Sequence, residues 1–537
     1  MHMKFLKNQF SLIIIVFVIA LTTSLPHIYG FLAYGKFYSP LGVEENLQFV
    51  RDETFAYAAE VQQVLRGQWG GDSYLWEYKN MPNPYLGEIG TILPIAAISK
   101  AIGSVPLGFF LSDLIFPSIL FLIINYFLIK NGFKKVFALS ASLAIIITPF
   151  LSSVLPFFYK SGTSLTGSSD QPLFITRTPH PQVSLIYLFL ALFLTSEVLK
   201  KQTKKILYLW LIILGFSLYA SPFVASSIVL GTLIISPLIL NKLNTRTIIL
   251  SAFIILLLSL PYLFNTFQLQ STFNNNDFLL RVTSPMKLLF PNQLRYVFFA
   301  IILFIIRRDN ISKVILAYVI AASIISDGHQ LILKRSMDAD HWISRVMAPI
   351  STLTIFLILE KAVHFKNKII VKYFWVTLAS VILLTGLFKQ LVWIKSHKED
   401  LKPDYALQNL IKEVKTQTGK DDVINSFSID INQYLTGLTA RRIYYGPMER
   451  VLSSSPEQLQ RLCDLHRLSI NNRQEDIDQL LYYEADLENT RLNKIINKTQ
   501  FKKQCNSEKS SFPQYKLNFL IFKDQFSGEY KLIKYPL

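Results

Sequence analysis

Apolar stretches of roughly fifteen to twenty-five residues recur along most of this chain, separated by short polar clusters. Such lengths match a hydrocarbon core of ~30 Å at ~1.5 Å rise per helical residue. The period-two alternation of a membrane barrel is absent, so helices are the spanning form. The blocks are Phe10–Ser24, Val105–Ile129, Val136–Phe158, Val183–Leu199, Ile206–Ala220, Pro222–Leu240, Thr247–Phe264, Tyr296–Ile306, Val314–Ile325, Val346–Leu359 and Ile369–Ile394, eleven in all. Composition agrees: 51% of residues are hydrophobic and 17% charged, against about a quarter charged in a soluble domain. The net charge of +18 would point to nucleic acid in a soluble protein. Here the basic residues sit in short loops between apolar blocks, which points to anionic lipid and away from nucleic acid.

The loops test the order of the spans. With a cytoplasmic N-terminus, the inner loops carry Lys130/Lys134/Lys135, Lys200/Lys201/Lys204/Lys205, Lys242/Arg246, Arg307/Arg308/Lys313 and Lys361/Lys366/Lys368/Lys372. Each is basic, as the positive-inside rule requires. The first outer loop, 35–104, is mixed and holds Glu44, Glu45, Asp52, Glu53, Glu60, Asp72, Glu77 and Glu88. Leu86–Ile102 is apolar, but counting it as a span would invert every later loop, so it reads as a short interfacial helix. Phe10–Ser24 reads as an uncleaved first span, because apolar character continues through Phe31 and Leu32. The absence of eukaryotic retrieval signals points to a bacterial inner membrane.

From about His397 the pattern changes. Tyr405–Thr416, Leu459–Leu468 and Asp476–Tyr483 read as helices; Asp422–Phe427, Arg442–Tyr445 and Leu517–Phe522 read as strands. The expected organisation is an α-helical multi-pass module over 1–396, with about eleven spans, and a small extracytoplasmic α/β domain over 397–537. Cys463 and Cys505 both lie in that domain, where they could form a disulfide or remain free thiols.

Three polar regions carry candidate chemistry. In the first loop, Asp52 and Glu53 precede a stretch, Tyr57–Leu65, with helical spacing and Gly67 as its expected C-cap. A carboxylate there caps a helix or serves as a general base beside a lipid-facing cleft. In the second outer loop, Arg177 and His180 stand at the membrane edge, where they bind a lipid phosphate or anchor to headgroups. The third region runs from Asp327-Gly328-His329-Gln330 through Lys334 and Arg335 to Asp338, Asp340, His341, Trp342 and Arg345. Lys334, Arg335 and Arg345 are candidates for phosphate or pyrophosphate; the alternative is a solvated loop with Trp342 as an interfacial belt residue. Arg281 is a weaker candidate of the same kind.

Asp52-Glu53-Thr54-Phe55-Ala56-Tyr57 resembles the Asp-x-x-[Phe/Tyr]-x-Tyr pattern of oligosaccharyltransferase catalytic subunits and their relatives. Asn83-Pro84-Tyr85-Leu86, the apolar helix to Ile102 and Gly103 resemble the stretch before the second span of protein mannosyltransferases and aminoarabinose transferases. The topology is similar to the GT-C superfamily of polyprenyl-phosphate-dependent glycosyltransferases, and Leu435–Gly446, read as a glycine turn feeding a strand, resembles a turn in bacterial relatives. The Trp-Trp-Asp block of oligosaccharyltransferases is absent, and a lone Pro84 stands where relatives carry a Pro-Pro pair.

The resemblance implies sugar transfer from a polyprenyl-phosphate-linked donor to a glycan, lipid or protein acceptor on the outer face, with inversion. Asp52 would activate or orient the acceptor hydroxyl, with Glu53 as the fallback. Tyr57, Asp170, Arg177, His180, Lys334, Arg335, His341 and Arg345 would bind substrate. Some relatives use a divalent ion such as Mg2+ or Mn2+ and others do not; Asp52 and Asp170 would be its ligands. The competing readings are a polymerase or ligase of O-antigen type and a non-enzymatic lipid or polysaccharide transporter. Nearly charge-free spans, with Asp113 the clearest exception, and the lack of internal repeats weigh against transport.

Overall fold

The computed structural model describes residues 2–35, 53–81, 88–151, 173–201, 203–272, 283–363, 368–399, 401–402, 405–427, 429–446, 452–471, 505, 515–523 and 530–535. Each of the eleven apolar blocks overlaps a helix; Val136–Phe158 does so only over its first half, where α6 ends at Ile147. Helices α1 (His2–Thr23) and α2 (Leu25–Tyr34) meet at Ser24 with a bend of 64°. Next come α3 (Glu53–Leu65) and α4 (Ile89–Ile102). The bundle continues with α5 (Val105–Lys130), α6 (Lys135–Ile147), α7 (Gln182–Lys200), α8 (Lys204–Ser217), α9 (Pro222–Leu240) and α10 (Thr245–Thr272). It closes with α11 (Phe290–Arg307), α12 (Asn310–Leu333), α13 (Asp340–Ala362) and α14 (Lys368–Ser396). Among the described residues seven helices are long and apolar enough to cross a membrane, or eight if the bent pair counts as one span. This is the architecture of a multi-pass membrane protein. Helix α4, with 14 residues, is not among the seven; nor are α6 and α8, with 13 and 14 residues, which cover two of the eleven expected spans.

Local chemistry sets the helix ends. Ser104 caps α5 by accepting from Leu107 N, and Asp309 caps α12 by accepting from Ser312 N at 2.9 Å. The basic loops gather at one end of the bundle. Lys130 Nζ lies 2.9 Å from Glu197 Oε2, and Lys242 Nζ donates to the Leu199 carbonyl. Arg307 pairs with Glu360 at 3.0 Å and packs over the Phe133 ring. The expected inner loops described by these contacts therefore share one end.

The opposite end carries the first loop and the C-terminal α/β unit. That unit contains α15 (Tyr405–Gln417), β3 (Val423–Ser426), α16 (Ile429–Thr439), β4 (Arg442–Ile443), α17 (Ser455–Asn471), β5 (Phe519–Lys523) and β6 (Tyr530–Lys534). Its sheet has the order β4-β3-β5-β6, parallel except for the antiparallel β5–β6 pair. Cys463 and Cys505 form a disulfide. The helix expected at Asp476–Tyr483 lies outside the described residues.

The first loop is built into this unit. Ala59, Tyr74 and Leu75 share one core with Leu410, Ile424, Leu435, Ile443 and Ile521. Ile443 N donates to Tyr74 O at 2.9 Å, extending the edge of the sheet. The buried Arg442 guanidinium donates to the carbonyls of Asp72 and Leu75 and to Gln68 Oε1. Arg461, fully buried, reaches Glu77 Oε2 at 2.9 Å and Glu457 Oε1 at 2.7 Å. Burial disfavours its charge, but the two glutamates outweigh burial and hold its pKa above the ordinary value. Asp72 is buried beneath these contacts, its carboxylate accepting from Tyr74 N, Leu75 N and Leu452 N. Burial pushes its pKa up despite those donors and Arg442.

Two sequence readings need correction. Gly437 is not a turn: it lies inside α16, and the chain reverses at Ala440, whose φ is 59°. Arg441 closes that end, donating to Thr439 O at 2.8 Å and Thr418 O at 2.8 Å. The stretch Asp327–Gln330 is not a solvated loop either; α12 runs on to Leu333. Asp327 Oδ1 accepts there from Leu289 N and Gln330 Oε1 from Lys287 N, which ties both side chains to the segment before α11. Short strands β1 (Ser284–Pro285) and β2 (Arg335–Ser336) pair beside them.

Candidate functional site

Helix α3 lies between the bundle and the α/β unit. Tyr57, Ala58 and Val61 pack with Ile92, Phe109, Val183 and Tyr434, while Ala59 turns to the other core. The spacing of 57, 58 and 61 is that of one helix face. Glu53 is the first residue of α3, as expected. Asp52, Asp170 and Arg281 lie outside the described residues, as does Asn83–Leu86.

Tyr57 and His180, 123 positions apart in the sequence, are brought together: their rings meet edge to face with centroids 5.2 Å apart.

 The pairing is a product of the fold, since α3 and the segment before α7 are remote in the chain. Glu88, the N-cap residue of α4, joins them: its Oε1 accepts from Tyr57 Oη at 3.4 Å and lies 3.7 Å from His180 Nε2. Thr91 Oγ1 is 3.4 Å from the same imidazole nitrogen. His180 is fully buried, and Tyr57 and Glu88 nearly so. Arg177 is half-buried at the end of the 3-10 turn Phe174–Thr176, three residues upstream.

His341 and Arg345 form a second group at the start of α13. Arg345 Nη2 lies 3.2 Å from His341 Nε2, and Phe223 packs against both, with ring distances of 4.7 Å to His341 and 5.4 Å to the guanidinium. Arg345 is 2% exposed and stands in a π-helical turn, Ile343–Met347, a local widening often found at functional sites. Trp342 is buried rather than an interfacial belt residue. It donates to Ser226 Oγ at 3.1 Å and packs between Phe223 and His329. His329 is neutral by its partners: Nε2 accepts from Met337 N, so Nδ1 carries the proton to Ile325 O.

The start of α9 ties the two groups together. Tyr219 O accepts from Gly90 N at 2.6 Å, and Phe223 and Ser226 hold the His341–Arg345 turn. Gly90 permits that approach, since a Cβ there would lie 2.7 Å from Tyr219 O. Arg335 has a structural task, donating to Thr283 Oγ1 at 2.6 Å and Thr283 O at 3.2 Å. Lys334 caps α12 in a left-handed conformation, with φ 56°, and is exposed. Among the described residues no group of three or more His, Cys, Asp or Glu side chains could hold a metal ion. The two carboxylates expected to do so, Asp52 and Asp170, lie outside that set.

Sequence reasoning missed Glu88 as a partner of His180, and the polar cluster around Asp113. Asp113 Oδ2 lies 2.6 Å from His27 Nε2, while Oδ1 accepts from Thr178 Oγ1 at 2.9 Å and Gln182 Nε2 at 2.5 Å. A lone acid within a span was the available signal.

No family model matches the chain, and no curated protein matches it. Among solved structures, the archaeal oligosaccharyltransferase AglB from Archaeoglobus fulgidus, in complex with an inhibitory peptide and a dolichol-phosphate, is similar over 82% of this chain at 12% identity and a TM-score of 0.36. The match spans 65% of that structure's chain, and a likeness at this level fixes neither family nor activity.

Proposed function

We propose that this chain is a membrane glycosyltransferase that moves a sugar from a polyprenyl-phosphate-linked donor to a glycan, lipid or protein acceptor on the extracytoplasmic face. The observation that carries the reading is the gathering of Tyr57, Glu88 and His180 with His341 and Arg345 around the start of α9. They lie at the bundle end that bears α3 and the α/β unit, opposite the basic loops. With the basic end cytoplasmic, this end faces outward.

In this scheme Asp52, immediately before α3, takes the proton of the acceptor hydroxyl, with Glu53 as the fallback. The acceptor oxygen bonds to the anomeric carbon as the bond to the carrier phosphate breaks, and the phosphate leaves with the electron pair. Attack opposite the leaving group inverts the anomeric centre. Arg345 and His341 meet the phosphate, with Lys334, Arg177 and Arg335 in support. Tyr57, Asp170 and His180 line the sugar and acceptor side.

The test is to express Asp52→Asn and Asp52→Ala and profile surface glycans and glycolipids at matched protein level. Loss of one glycan or glycolipid is the expected result. An unchanged profile in both variants overturns the catalytic assignment.

A further inference from the structure

We infer that Asp113 is a positioning residue, which clamps both ends of the stretch Thr178–Gln182 and so sets His180 against Glu88 and Tyr57. The inference rests on reading His180 as part of the site. The stretch reads Thr178-Pro179-His180-Pro181-Gln182. Two of its five residues are prolines, which have no main-chain N–H to give. The chain there has fewer main-chain donors with which to be fixed, and the flanking side chains supply others. Thr178 Oγ1 and Gln182 Nε2, two residues to either side of His180, converge on Asp113 Oδ1 at 2.9 Å and 2.5 Å. The Thr178 hydroxyl also lies 3.0 Å from Gln182 Oε1, so its one proton is shared between that oxygen and Asp113 Oδ1.

The other oxygen of Asp113 is 2.6 Å from His27 Nε2, on the far side of the bend at Ser24. Thr23 Oγ1 donates to the Asp113 main-chain carbonyl at 2.7 Å. The acid therefore joins three separate parts of the chain: the bent first helix pair, α5 and the segment leading into α7. Asp113, His27, Thr178 and Gln182 are all buried. Simple adhesion between helices does not require an acid at this depth. Elsewhere in the bundle neutral groups perform it: Thr195 Oγ1 is 3.0 Å from Tyr318 Oη and accepts from Trp210 Nε1 at 2.9 Å. What the carboxyl adds is two oxygens that accept several converging donors at once. A buried acid is disfavoured unless its oxygens are met, and here both are.

The experiment uses the full chain in lipid nanodiscs with histidine labelled at the imidazole carbons. The His180 resonance is assigned by its loss in His180→Gln. Asp113→Asn, Thr178→Val and Gln182→Met are then compared with the wild type. Each should displace or broaden the His180 resonance while those of His341 and His466 stay in place. A His180 resonance unmoved in folded Asp113→Asn, or unmoved in Thr178→Val and Gln182→Met should Asp113→Asn fail to fold, overturns the clamp. The readout is independent of sugar transfer. An unchanged glycan profile in the Asp52 variants together with a displaced His180 resonance in the Asp113 variant would sink the proposed function and leave the clamp standing.

Discussion

Arg345 Nη2 stands 3.2 Å from His341 Nε2, one helical turn away on the same face of α13. A guanidinium only donates, so the imidazole accepts through Nε2 and carries its proton on Nδ1, toward Asp338 Oδ2 at 3.9 Å. The pair thus presents a buried cation steadied by a neutral ring. Replacing Arg345 with Ala removes charge-assisted hydrogen bonds worth about 1.5–3 kcal/mol. Under the proposed function, at about 1.4 kcal/mol per tenfold, kcat/KM for sugar transfer should fall roughly ten- to hundredfold. Arg345→Lys should recover only part of this, because an ammonium lacks the planar fork. Steady-state transfer assays on both variants check the expectation; equal activity in all three proteins would remove Arg345 from the site.

Gly90→Ala should loosen the joint between the two groups. The added Cβ meets the Tyr219 carbonyl at 2.7 Å, and a main-chain oxygen cannot swing aside. Overpacking of this kind costs about 1–3 kcal/mol. A lower thermal midpoint for the full chain in detergent is the expected result. A midpoint equal to wild type would show that α4 and the start of α9 separate freely.

Asp72 gives the α/β unit an acid-side stability term. Burial raises its folded pKa, so between the ordinary aspartate value and that raised value the native state holds a proton that the unfolded chain has released. Stability therefore rises as pH falls through that window and is lost as pH rises through it. Asp72→Asn should flatten this component. Denaturant unfolding of wild type and variant across mildly acidic pH measures the difference, and parallel curves would contradict it.

Cys463 and Cys505 close a loop with a sequence separation of 42. Cys463→Ser should destabilise the α/β unit by about 2–4 kcal/mol. Limited proteolysis of the intact protein should then cut within that unit at lower protease concentration. Alkylation of both thiols in native, unreduced protein would instead show that the bond does not form.

Much of the bundle was legible because lipid imposes a length and basic loops mark an end. Val105–Lys130 and Lys368–Ser396 fall almost where their apolar blocks do. The strand at Val423–Ser426 also showed, since its alternation lies between polar turns. Ile429–Thr439 did not, because Gly437 near its end reads as a turn while the real reversal falls at Ala440. Of the candidate site, Tyr57, His180, His341 and Arg345 are singled out by type and place, and the fold groups Tyr57 with His180 and His341 with Arg345. Their partners are not: Glu88 reaches His180 only through the packing of α4, and Phe223 is one aromatic among many. The union of the first loop with the α/β unit was hidden for another reason. Ile443 N to Tyr74 O and Arg442 to the Asp72 and Leu75 carbonyls are bonds to main chain, which leave no mark on residue type.

That union has a consequence for how the protein is made. Arg442 lies 370 residues beyond the Asp72 carbonyl it holds, and Leu452 lies 380 beyond the Asp72 carboxylate. At ribosomal rates of about 5–20 residues per second, roughly 20–75 s pass between synthesis of the two partners. Throughout that interval the nascent first loop lacks the lid of its own core, and Tyr74 and Leu75 wait uncovered until the strand that carries Ile443 has emerged. Surveillance proteases and holding chaperones would meet this protein there, at its first loop, long before the α/β unit exists.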